Sequence, residues 1–96
     1  MAAYIVARVG VAEPPLLKSY LSATPAIVEK YGGRFIARGG TTVTFEGPDE
    51  TRRIVIIEFA SLSDAEAFYY SEEYSEARKL REGVAAAEFI AVDGVR

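Results

Sequence analysis

The chain has 96 residues, half of them apolar, with 11 Lys and Arg against 14 Asp and Glu for a net charge of -3. That balance describes one globular domain over residues 1–96 and excludes a disordered tail or a fibre. Cys is absent and so is His, which excludes disulfides, thiolate zinc sites, a cysteine nucleophile and a histidine general base. The acidic balance argues against nucleic acid, whose phosphates need clustered Lys and Arg. No apolar run is long enough to span a membrane. Residues Met1 to Arg8 show no basic segment ahead of an apolar one. They do not read as an export signal, and a cytoplasmic location is the expectation.

In chain order, residues 3–10 alternate Tyr4, Val6 and Arg8 with Ile5, Ala7 and Val9 and predict a strand. Glu13-Pro14-Pro15 ends it. Proline is tolerated in a first helical turn, so a helix begins there with Leu16, Leu17, Tyr20 and Leu21 as its apolar stripe. Pro25 has no N–H to donate and is expected to interrupt that helix. Thr24 then caps a fresh segment to Tyr31, with Ile27 and Val28 inward, and Gly32-Gly33 stops it, the second glycine being the expected left-handed residue. Arg34 to Gly39 predicts a second strand, continued by Thr41 to Glu46 past a bend or bulge at Gly39-Gly40. Gly47 to Thr51 makes a hairpin loop, and Arg53 to Ala60 is the third and most apolar strand. Ser63-Asp64-Ala65-Glu66 reads as a capping box opening the second helix. Ser71 caps its continuation, which carries Tyr74, Ala77 and Leu80 and stops at Gly83, and Ala87 to Val92 is the last strand.

The order β-α-β-β-α-β with right-handed crossovers is α+β and ferredoxin-like: a four-stranded antiparallel sheet with both helices on one face. Sorting strand residues by parity puts Ile5, Ala7, Val9, Phe35, Ala37, Val55, Ile57, Phe59, Phe89 and Ala91 under the helices. The other parity still carries Val6, Ile36, Ile54, Ile56, Ile90 and Val92. Six aliphatic side chains are too many for a solvated face. A second copy of the same sheet is the simplest cover, so a two-fold homodimer through the sheet face is expected.

The segments Tyr31-Gly32-Gly33-Arg34-Phe35-Ile36-Ala37-Arg38-Gly39-Gly40, Ile56-Ile57-Glu58-Phe59, Ala67-Phe68-Tyr69 to Ser71-Glu72-Glu73-Tyr74, and Ala77-Arg78 to Leu80-Arg81 carry a resemblance. The chain resembles the dimeric α+β barrel superfamily, and within it a small family described only as a domain of unknown function, the thirteen-thirty series. The resemblance spans essentially the whole chain and implies the fold and the homodimer. The family has no agreed activity, so the resemblance implies no catalytic residue. Better-known superfamily relatives include cofactor-free monooxygenases, muconolactone-type isomerases and haem-binding proteins. The haem binders generally use a histidine ligand, which this chain lacks.

Arg38 and Glu58 are the candidate catalytic pair. If Glu46 and Arg52 flank the hairpin in register, Glu58 lies opposite Gly40 with Arg38 on the neighbouring diagonal of the same face. An Arg fork beside a carboxylate holds an anion and moves a proton, and the competing reading is an ion pair at the dimer seam. Tyr4 and Arg8 share that face and are candidate ligand-binding residues, and Tyr20 and Tyr69 are the candidate hydroxyls of the cleft between sheet and helices. The paired glycines match no phosphate-binding fingerprint. The glutamates of the second helix lack calcium-loop spacing, so neither a metal nor a cofactor is expected. Two functions compete: a cofactor-free enzyme acting on a small anionic or aromatic molecule, and a non-catalytic ligand-binding or structural dimer. RNA binding through the sheet face is rejected, since the third strand has no central ring on the mixed face.

Overall fold

The computed structural model describes residues 2–11 and 14–95; Met1, Ala12, Arg96 and Glu13, the last expected to help end the first strand, lie outside the described residues. The elements are β1 (Ala3–Val11), α1 (Lys18–Lys30), β2 (Arg34–Arg38), β3 (Arg53–Phe59), α2 (Leu62–Tyr69), α3 (Glu72–Lys79) and β4 (Ala85–Asp93), with a 3-10 turn at Pro14–Leu17 leading into α1. The sheet order is β2-β3-β1-β4, every neighbouring pair antiparallel. This is the expected ferredoxin-like α+β fold. The protomer measures 34 × 33 × 16 Å, the thickness of one sheet and one helical layer, so the second face of the sheet has no cover within the protomer. The core lies between the layers, where Ile5, Val28, Ile57, Phe59, Phe68 and Tyr74 are buried.

Pro25 does not interrupt the first helix as expected; α1 runs through it. A proline there leaves the carbonyl of Leu21 without its helical donor. Arg38 supplies one instead: its Nη2 donates to Leu21 O at 2.7 Å and to Thr24 Oγ1 at 3.1 Å. Thr24 is therefore a buried acceptor inside the helix and not the cap of a new one.

Arg38 reaches α1 because β2 carries a bulge. Phe35 pairs with Ile57, but Ala37 pairs with Ile56 and Arg38 with Val55. Ile36 is the extra residue, three positions before the expected bend, and it moves Ala37 to the open face and Arg38 to the helix face. The strand then stops. Gly39 takes a φ of +72°, and residues 41–45 do not extend β2 as predicted.

Other boundaries move for local reasons. Ser61, not Ser63, caps α2, its Oγ accepting from Asp64 N at 3.1 Å. Ser71 caps α3 as expected, accepting from Tyr74 N at 3.0 Å. At the end of α1 the positive φ falls on Gly32, not Gly33; a Cβ on Gly33 would stand 2.5 Å from the Phe59 ring, so that glycine is required by packing.

The Pro25–Arg38 compensation is testable by a double-mutant cycle in urea. Arg38→Met should destabilise the protein by about 1–3 kcal/mol, because Leu21 O loses its donor. In a Pro25→Ala background residue 25 regains an N–H, and the loss should shrink by about 0.5 kcal/mol or more. Strictly additive effects refute the account.

Candidate functional site

Beneath α1, at the end of the sheet where Arg38, Val55 and Phe89 stand on the helix face, lies a narrow cavity of about 30 Å³. Its walls are mainly apolar, including Val9, Leu17, Leu21, Phe35 and Val55. Val9, Leu17, Leu21 and Arg53 also border an open vestibule of about 510 Å³, whose outer wall is Gly39 to Thr42.

A small polar group sits within these apolar walls. The Tyr20 and Tyr74 hydroxyls are 2.6 Å apart and buried, their rings edge to face at 6.3 Å. Arg81, arriving after α3, places its guanidinium 5.5 Å from the Tyr20 ring and 5.4 Å from the Phe89 ring. Arg38 stacks on Phe35 at 4.3 Å, and Arg53 follows from the first position of β3. Among the described residues no carboxylate forms an ion pair with Arg38, Arg53 or Arg81. Burial, and then the neighbouring Arg53 charge, press the Arg38 guanidinium below its ordinary pKa. Burial, followed by the Tyr20 hydroxyl, pushes the Tyr74 phenol far above its ordinary value, with Arg81 opposing.

The expected Arg38–Glu58 pair does not form. The register puts Arg34, not Gly40, opposite Glu58, and the bulge sends Arg38 through to the other side of the sheet. Glu58 instead accepts from Arg34 Nε at 2.7 Å and lies 3.4 Å from the Tyr4 hydroxyl on the open face. Arg8 is also on that face, its Nε 3.2 Å from Glu50. Arg52 joins Glu50 and Glu88, and Arg52, then Arg8, hold the Glu50 carboxyl at about 2. Tyr4, Arg8 and Glu58 thus belong to an ion-paired surface, while Tyr20 and Arg38 share the cleft. Tyr69 is in neither place. It borders a separate hollow of about 210 Å³ beside β4, with Arg78 5.0 Å from its ring.

Sequence reasoning passed over Arg53 and Arg81. Arg53 had a legible signal: it shares parity with Val55, Ile57 and Phe59, so a charge stands on the buried side of the most apolar strand. Arg81 lies in the turn between α3 and β4, where no periodicity indicates direction.

The family described as Domain of unknown function (DUF1330) matches residues 2–95. Among solved structures, the chain is similar to the RPA0582 protein of unknown function from Rhodopseudomonas palustris: 20% identity, TM-score 0.74, covering 99% of this chain and 83% of that one. SnoaB, a cofactor-independent oxygenase from Streptomyces nogalater, matches at 14% identity and TM-score 0.70, over 99% of this chain and 94% of that one. A dimeric protein of unknown function with a ferredoxin-like fold from Bacteroides fragilis matches at 15% identity and TM-score 0.67, over 97% and 96%. Likeness at these identities is likeness of fold. No curated protein matches the chain.

The Tyr74 environment has a signature in pH. The folded protein keeps this phenol neutral, whereas the unfolded chain releases its proton near the ordinary value of 10.0. Above that pH the unfolded state binds fewer protons, so stability must fall as pH rises. Urea unfolding between pH 8 and roughly 11 should show this decline in the wild-type protein and a shallower one in Tyr74→Phe. Equal slopes refute the assignment.

Proposed function

This chain belongs to the family described as Domain of unknown function (DUF1330), and we propose that it is a homodimer, joined through its open sheet face, that binds a small aromatic or anionic molecule in the cleft of each protomer. The observation that carries the reading is the cleft itself: an apolar slot open to solvent at one end, holding a buried tyrosine pair and arginines that have no acidic partner among the described residues. Ligand sites have this make-up, apolar walls with a few convergent polar groups that fix orientation.

Support for the dimer comes from the uncovered face. Ile90 and Val92 are 58% and 51% exposed in the protomer, and Ile36, in the bulge, is 47% exposed. Val6, Ile54 and Ile56 lie among them, half-buried, and the ion pairs of Arg8, Arg34 and Arg52 flank the patch. An apolar centre with a charged rim is the anatomy of a protein interface. A structural neighbour described as dimeric has the same fold.

A second reading, turnover without a cofactor, is favoured by the Tyr20–Tyr74 pair, since two hydroxyls in hydrogen-bond contact can pass a proton to or from a bound ligand. SnoaB, which shares the fold, is a cofactor-independent oxygenase. Against it, the residues lining the inner cavity include no carboxylate or imidazole to act as a base.

A native mass spectrum of freshly purified protein tests the proposal. The expected result is a dimer carrying a small adduct that denaturation releases; a monomer refutes the interface. Ile90→Glu should give a folded monomer, because residue 90 is exposed in the protomer and the new charge would be buried unpaired between sheets. An Ile90→Glu dimer would mean that another face joins the copies. Incubating the adduct with excess protein then separates the readings: an altered mass means turnover, an unchanged one means storage or sensing.

A further inference from the structure

We infer that the ligand of the cleft carries a carboxylate and that Arg53 is the residue that selects it. The inference rests on the cleft being a ligand site and adds the chemistry of its head group.

The donors of Arg53 are underused within the chain. Its Nε is buried and makes no hydrogen bond. Its Nη2 reaches the Arg38 carbonyl at 3.5 Å, the outer limit of such a bond. None of the ion pairs among the described residues includes it. A guanidinium against apolar walls is costly unless an anion joins it, and here none of the described residues supplies one.

The neighbouring arginine is already committed. Arg38 donates to Leu21 O and Thr24 Oγ1 and stacks on Phe35, so it holds the helix in place. Arg53 has no such duty. Its guanidinium lies over the bare backbone of Gly39, where a Cβ would stand 2.2 Å from Nη1. The glycine therefore leaves the room this side chain occupies. Arg53 also borders both the inner cavity and the vestibule, at the point where a ligand would pass between them.

The shape of the slot indicates the head group. The inner cavity of about 30 Å³ has room for roughly one or two waters. A flat, two-oxygen carboxylate fits such a space better than a tetrahedral phosphate. The two Nη groups of Arg53 form the donor fork that a carboxylate accepts with both oxygens. The apolar body of the ligand would rest in the vestibule against Val11, Leu17 and Leu21.

Calorimetric titration of the whole protein with benzoate, its neutral analogue benzamide and inorganic phosphate tests this. The wild-type protein should bind benzoate at least about tenfold more tightly than benzamide, the value of one charge-assisted contact. Arg53→Met should bring benzoate down to the level of benzamide and leave benzamide unchanged. Arg53→Lys, which keeps the charge but loses the fork, should recover only part of the preference. Equal affinity for benzoate and benzamide in the wild type, a comparison that needs no variant, overturns the carboxylate head and leaves the ligand cleft standing. So does a preference that survives Arg53→Met. Phosphate binding as tight as benzoate overturns the choice of a planar head. Binding of neither aromatic overturns the cleft reading together with the inference.

Discussion

One additional residue in β2 decides what the two faces of the sheet become. With Ile36 bulged out, Ala37 and Arg38 exchange the faces that simple alternation assigns them. Arg38 then stands under α1 and supplies the donor that Pro25 cannot. The helix stays continuous through its proline, and the roof of the cleft stays in place. On the other side, Glu58 is left to Arg34 and Tyr4 and becomes part of a surface network. A change of one position in strand pairing thus settles the course of a helix, the lining of a cavity and the partners of a carboxylate.

The two faces also handle charge in opposite ways. On the open face the described cations near the aliphatic patch have carboxylates: Arg8 and Arg52 with Glu50, Arg34 with Glu58. Such pairs sit where water reaches them and add little to stability. On the helix face the guanidiniums stand in apolar surroundings, among tyrosine hydroxyls and aromatic rings, with no ion-paired acid among the described residues. Poor local agreement of this kind marks functional sites in otherwise self-consistent proteins.

Most of the fold was legible in the chain because its signals are local. Alternation marks β1 and β3, Ser71 marks the start of α3, and Gly32-Gly33 marks the end of α1. The aliphatic parity of the open face was legible too, since regular strands keep their alternation. What could not be read was the bulge, because Phe35-Ile36-Ala37-Arg38 has the composition of an uninterrupted strand. Its consequence lies in the third dimension, where Arg38 meets a carbonyl left unpaired by a proline several residues earlier in the chain. The site suffered accordingly. Tyr20 lines the cleft, whereas the Arg38–Glu58 pairing assumed a register that the bulge abolishes.

The position of β1 at the centre of the sheet bears on how the protein is made. β1 pairs along one edge with β3 and along the other with β4, so that Ala3 lies beside both Phe59 and Asp93. Of the four strands, β1 is thus made before both of its partners. Until β4 is available, β1 presents an open edge and Ile5, Ala7 and Val9 lack their final neighbours. Closing such distant pairs costs chain entropy before any contact rewards it, which slows folding in sheets of this topology. Chaperone contact with the nascent chain should accordingly persist until β4 has emerged.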